Sequence, residues 1–252
     1  MTMSDHLMGP RGRLAWVRMA GAEPTVVFVH GFKSDMTGTK ALVLEAHCRA
    51  RARAFVRFDC SGHGASDGRF EDGTIGAWAD DVRAVIDAIG GPVVLVGSSM
   101  GGWLSLLAAR DRPALVQALV LIAPAPDFTR WGMRDAYSAE QLAQLRRDGF
   151  LDLPSAYATA PTRITLRLME EGLEHSLMHA PIPFAGPVRI LHGQQDPDVP
   201  WRLSLELADR LTSTDVRLHL IKAGDHRLST PADLALLCTT VDEVLARLSG
   251  SA

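Results

Sequence analysis

The sequence predicts an α/β fold, a mostly parallel central sheet flanked by helices on both faces. Short β-branched runs alternate along the chain with stretches whose apolar residues recur at helical spacing. Several of the short runs (Val26-Val27-Phe28-Val29, Val93-Val94-Leu95-Val96, Leu119-Val120-Leu121-Ile122) are apolar at every position, as strands covered on both faces must be. The 252 residues suit one such domain spanning 1–252 with a sizeable core.

In chain order, strands are expected at 14–19, 25–29, 54–58, 93–96, 118–122, 188–191 and 216–221. Ile75, Trp78, Val82, Ile86 and Ile89 form one core-facing helical stripe, and a second helical run covers 100–110. Near the C-terminus Leu234, Leu237, Cys238, Val241, Leu245 and Leu248 form another stripe. That helix is announced by Thr230 as N-cap, Pro231 at the first helical position and Asp233 completing a capping box. Trp78 and Cys238 fall on these stripes and are assigned to packing. Residues 126–186 break the alternation, with helices expected at 138–147 and around 162–171. This segment is expected to be a helical cap inserted into the domain.

The charges nearly cancel, with 26 Lys and Arg against 29 Asp and Glu, so there is no electrostatic case for nucleic acid. Apolar and charged fractions of 47% and 22% exclude a disordered, collagenous or coiled-coil chain. No apolar run reaches the roughly 18 residues of a spanning helix, so no stable membrane insertion is expected. The three cysteines, Cys48, Cys60 and Cys238, include no CxxC pair, which argues against a disulfide framework or a zinc site. With no targeting-type apolar segment in the first two dozen residues, the expected location is the cytoplasm. No cofactor or metal is expected, and the oligomeric state is left open.

The strongest motif is Gly97-Ser98-Ser99-Met100-Gly101, placed between a buried strand and a helix. G-x-S-x-G in this context lifts the central serine above the sheet on a sharp turn, with glycines where backbones come too close for a Cβ. Ser99 is therefore the candidate nucleophile. A serine hydroxyl needs a base, and the base needs an orienting group. After the strand at 188–191, the loop His192-Gly193-Gln194-Gln195-Asp196-Pro197-Asp198 offers Asp196 as the acid, with Asp198 as competitor. After the strand at 216–221, Asp225-His226 offers His226 as the base. The order Ser99, Asp196, His226 is the serine, acid, histidine order of one of the three known triad arrangements. The backbone N–H groups of Phe32, in His30-Gly31-Phe32, and of Met100 are the candidate oxyanion hole, with His30 as a structural ring.

Other candidates rank lower. His175 and His179 have the i,i+4 spacing of a helical zinc pair, but Ser176 replaces the glutamate of HExxH and no third ligand is evident. Gly62-His63-Gly64 with Gly68 has the wrong spacing for a dinucleotide loop and is expected to line the site as a tight loop. Cys60 is assigned to a small buried role. Gly31, Trp103 and Trp201 are candidate substrate contacts. Leu166, Leu168, Met169, Leu173, Leu177 and Met178 either line an acyl groove or pack the insertion onto the core. The ionisable side chains singled out in the insertion sum to a net charge of −2, with no basic clamp for a phosphorylated carrier.

On these residues the chain resembles the α/β-hydrolases of the serine-hydrolase type from about residue 25 to 248. More narrowly it is similar to the mitochondrial acyl-protein thioesterases that also act as acyl-glucuronide esterases, and to their bacterial relatives. The stretches that carry the likeness are 36–41, 57–68, 96–103, 191–196, 199–201 and 225–227. The resemblance implies an α/β-hydrolase fold and cofactor-independent cleavage of acyl esters or thioesters, small-molecule or protein-borne, by Ser99, His226 and Asp196. It departs at Cys60, where an aromatic residue is expected, and no import segment is read ahead of the domain. The alternative readings are a carbon–carbon bond hydrolase, a serine peptidase, or a non-catalytic ligand-binding relative.

Overall fold

The structure, a computed structural model, describes residues 3–154 and 161–250. The elements are β1 (Met3–Gly9), β2 (Gly12–Met19), β3 (Ala22–Val29), α1 (Thr39–Ala50), β4 (Arg53–Phe58), α2 (Ile75–Ile89), β5 (Val93–Ser98), α3 (Met100–Asp111) and β6 (Val116–Ile122). After these come α4 (Ala139–Asp148), β7 (Phe150–Leu153), β8 (Thr162–Thr165), α5 (Leu166–Glu174), β9 (Val188–Gly193), α6 (Arg202–Arg210), β10 (Val216–Ile221) and α7 (Pro231–Ser249).

Eight strands form one sheet in the order β1-β2-β4-β3-β5-β6-β9-β10. β2 pairs antiparallel with β1 and β4, and every other pairing in this sheet is parallel. The uniformly apolar strands sit at its centre because their alternate side chains serve two cores. Val27, Val29, Leu95, Leu119, Leu121 and Ile190 pack with α2 and α3 on one face. Val26, Phe28, Val94, Val96, Val120, Ile122 and Leu191 pack with α1 and α7 on the other. The parallel arrangement brings the carboxyl ends of β3, β5, β9 and β10 to one edge of the sheet, where α/β sites assemble.

The chain opens with a hairpin of β1 and β2 ahead of β3, paired at positions such as Leu7 with Leu14, and two later features differ from the sequence-based expectation. Helices α1 and α6 were not foreseen, because their apolar signal is short: α1 seals its face of the sheet mainly through Ala41, Leu44 and Cys48. The helix expected around 162–171 begins instead as strand β8, which pairs with β7 through Leu151–Ile164 and Asp152–Arg163. The β-branched residues Thr162, Ile164 and Thr165 favour the strand. Thr165 then caps α5, its hydroxyl accepting from Leu168 N–H. Residues 155–160 of the insertion lie outside the described residues.

Among the described residues, no helix is long and apolar enough to cross a membrane. α7 starts as its sequence implies, with a reciprocal capping box between Thr230 and Asp233 and Pro231 in the first turn. This cap closes the loop that carries His226. Thr230→Ala is expected to lower stability by about 1 kcal/mol, measured by urea unfolding, because an orphan helix N–H loses its acceptor.

Candidate active site

Ser99 sits between β5 and α3 with φ 55° and ψ −118°, a conformation that costs a non-glycine residue about 1–3 kcal/mol. Close packing around the turn maintains it. A Cβ at Gly101 would overlap the Val29 carbonyl oxygen, and one at Gly97 would overlap that of Gly101, so both flanking positions require glycine. Because β3 neighbours β5, the loop after β3 lies against this turn: a Cβ built on Gly31 would stand 3.3 Å from Ser99 Cβ. Phe32 follows, its ring held among Phe70, Phe128 and Trp78 at centroid distances of 5.0, 5.5 and 5.9 Å. Among the described residues, the backbone N–H groups of Phe32 and Met100 donate to no protein acceptor.

β9 and β10 are neighbours, so the loops after them meet. His226 Nδ1–H donates to Asp196 Oδ2 at 2.7 Å, with the Asp196 side chain fully buried. The other carboxylate oxygen accepts from the N–H groups of Asp198 at 2.8 Å and Val199 at 2.9 Å. A further donor is His192 Nε2–H, which lies 3.2 Å from Asp196 Oδ2 and 3.1 Å from the Val199 carbonyl. Two acceptors on Nε2 place the proton there, so Nδ1 of His192 accepts from the Ser204 hydroxyl at 2.6 Å. Burial pushes the Asp196 carboxyl up, but the hydrogen bonds from His192 and His226 outweigh it and hold the group below the usual carboxylate range. Asp196, Asp198 and His226 also present ligand atoms within 4.8 Å of one another. At 2.7 Å, however, the first and last are spaced as a hydrogen bond, and Asp198 is exposed.

Ser99 and His226 both line a cavity of about 590 Å³. Among the described residues, no hydrogen bond joins the Ser99 hydroxyl to the imidazole, whose partner is Asp196. Most of the large apolar lining residues, Phe128, Trp131, Met133 and Tyr137, come from the segment between β6 and β9, with Phe32 and Met100 beside them in the lining. The charged lining residues, Lys33, Asp35, Lys40, Asp198 and Arg227, come from the segments that follow β3, β9 and β10. Lys40 Nζ donates to the Arg227 carbonyl at 2.5 Å, next to His226. Burial lowers its pKa to about 8.

The profile of the Alpha/beta hydrolase family matches residues 26–235. The chain belongs to that family. It is 43% identical over 241 residues to the mouse protein named palmitoyl-protein thioesterase ABHD10, mitochondrial, covering 94% of this chain and 80% of that one. A solved putative hydrolase from Agrobacterium vitis S4 superposes with a TM-score of 0.93 at 37% identity, covering 97% of this chain and 99% of that one. The solved mouse alpha/beta hydrolase domain-containing protein 10 superposes at 0.90 with 40% identity, covering 98% and 99%. The expected cytoplasmic location does not stand, because the mouse relative is designated mitochondrial. A balanced charge and three thiols suit any reducing compartment, so composition had no power to choose among them.

Several expectations fall elsewhere in this alpha/beta hydrolase. Trp103 is fully buried and does not line the cavity. Its Nε1–H donates to the His175 carbonyl at 3.2 Å, and its ring backs Phe128 at 5.6 Å. Trp201 also lies outside the wall, with the Arg202 guanidinium 4.5 Å above its ring. Leu168, Met169 and Leu177 are buried in the core, so the packing alternative describes them. Residues 175–179 lie beyond the end of α5, which removes the helical spacing of the histidine pair, and His175 bonds Glu171 at 3.0 Å. The 62–64 loop is tight, with positive φ at Gly62 and Gly64, but it does not line the cavity.

Behind the site, His30 bridges two loops. Its Nδ1–H donates to the Gly31 carbonyl at 2.8 Å, and its Nε2 accepts from Cys60 N–H at 3.1 Å. Burial lowers the pKa of His30, and burial raises that of the Cys60 thiol, leaving it inert. His63 packs 4.8 Å from His30, and burial takes its pKa down to about 3. The unfolded chain binds a proton at such a histidine below about pH 6.5, whereas the fold refuses it. Stability is therefore full above that value and falls as the pH drops towards 3. Between pH 7 and pH 5, urea unfolding of His63→Phe should show a stability loss smaller than the wild type's by about 2 kcal/mol.

Proposed function

We propose that the protein is a serine hydrolase that cleaves carboxylic ester or thioester bonds through an acyl-enzyme. Ser99 is the nucleophile, His226 the base and Asp196 the group that orients it. The observation that carries this reading is the 2.7 Å bond from His226 Nδ1 to a buried, ionised Asp196, on a ring that shares one cavity with Ser99. Holding the proton on Nδ1 leaves Nε2 as a base. The name of the mouse relative, a palmitoyl-protein thioesterase, supports an acyl substrate.

In the proposed reaction, His226 Nε2 takes the Ser99 proton as Oγ attacks the acyl carbon. The Phe32 and Met100 N–H groups, which have no protein acceptor among the described residues, are the proposed donors to the resulting oxyanion. Collapse expels the alcohol or thiol with the proton from His226. Water then attacks the acyl-serine and gives its proton to the same nitrogen, which passes it to Ser99 Oγ as the acyl–oxygen bond breaks and the carboxylic acid leaves. Asp196 stabilises the imidazolium at both stages, helped by His192, which holds the carboxylate in place. Residues 126–186 act as a cap on a single domain, and the substrates are small-molecule esters or thioesters or an acylated protein.

A fluorophosphonate probe is expected to label the wild type and not Ser99→Ala; equal labelling of both would refute the assignment. Ser99→Ala and His226→Ala are each expected to lower kcat by about three or more orders of magnitude towards p-nitrophenyl esters, with unchanged far-UV circular dichroism.

A further inference from the structure

We infer that Gly132 sets the length of acyl chain the site accepts, by leaving open the cavity space that a side chain would fill. This rests on the hydrolase reading above. Residues Arg130–Arg134 form a π-helical turn, closed by Asp135 N–H donating to the Arg130 carbonyl five residues back at 2.8 Å. Such turns are rare and concentrate at functional sites. Here three consecutive residues, Trp131, Gly132 and Met133, line the cavity that holds Ser99.

Hydrogen bonds tie the turn and the residues before it to the rest of the fold. Trp131 Nε1–H donates to the Pro126 carbonyl at 2.8 Å. The buried Asp127 carboxylate accepts from Leu177 N–H at 2.8 Å, Met178 N–H at 3.0 Å and the Ser176 hydroxyl, tying the start of the insertion to its far end. Neither usual reason for glycine applies at position 132. Its φ lies outside the left-handed region, and a Cβ there would meet only Phe128 Cβ, at an ordinary 3.9 Å. Glycine also weakens a helical turn relative to alanine. Beyond that contact a Cβ at position 132 meets open space, and Gly132 lines the cavity that Phe128, Met133 and Tyr137 also line. An apolar lining of this kind suits a hydrocarbon chain, whereas the charged residues that follow β3, β9 and β10 suit a polar leaving group.

The test is the ratio of kcat/KM for p-nitrophenyl laurate to that for p-nitrophenyl butyrate in the wild type, Gly132→Ala, Gly132→Leu and Gly132→Phe. The ratio is expected to fall stepwise with side-chain size, by about tenfold or more for phenylalanine. Equal losses on both esters, or an unchanged ratio, would overturn the inference, since a merely structural role moves both rates together. Alanine fits without overlap, so its smaller shift in the same direction decides the matter if the larger variants do not fold. A wild type that hydrolyses both esters while the ratio ignores position 132 refutes the role of Gly132 alone. A wild type that hydrolyses neither, and takes no fluorophosphonate, refutes the hydrolase reading and this inference with it.

Discussion

The Asp196 carboxylate organises the edge of the sheet on which the candidate site stands. A buried charge persists only when its lone pairs are occupied. Here two imidazoles and two backbone N–H groups do so. These donors belong to β9, the loop after it and the loop after β10, so satisfying one carboxylate sets the relative position of all three. His192 extends the arrangement inward to Ser204 of α6. The orientation of His226 thus follows from the folding of the loops themselves.

A second constraint acts on the other side of the cavity. The turn at Ser99 is strained, and it holds because Gly97 and Gly101 allow β3, β5 and α3 to approach more closely than any side chain permits. The same proximity sets Gly31 against Ser99 and brings Phe32 and Met100 to the cavity lining. His30, bonded to Gly31 and to Cys60, supports that loop from behind as a neutral ring. Its role is positional, and it has a pH cost because neither it nor His63 readily accepts a proton in the fold.

Division of labour between insertion and core follows from how each is built. The segments that leave the carboxyl edge of the sheet after β3, β9 and β10 carry the charged lining residues. The insertion, anchored by Asp127 and by the Glu171 carboxylate on Gly76 N–H, carries most of the large apolar ones. Variation in the insertion can therefore reshape one part of the cavity without disturbing the carboxylate network, as loops on a rigid scaffold commonly do.

Much of this architecture was legible in the chain. Period-two and period-3.6 patterns are local, and so are caps, which is why the buried strands, α2, α4 and α7 were readable with nearly correct limits. G-x-S-x-G after an apolar strand is local as well, and the loops that follow two later strands, taken with chain order, nominated Asp196 and His226. Tertiary structure decided what depends on contacts between distant segments. His192, four residues before Asp196, gave no sign of its role until the loops closed. Trp103 looked like a substrate contact because it neighbours Ser99 in sequence, yet the helix turns it into the core. The apolar wall comes from Phe128, Trp131, Met133 and Tyr137 rather than from the leucine-rich stretch after 165, since hydrophobicity says that a residue is covered but not by what. Local pattern determined the elements and the candidate residues; which of them meet, and which face the cavity, was decided by long-range packing that no single segment encodes.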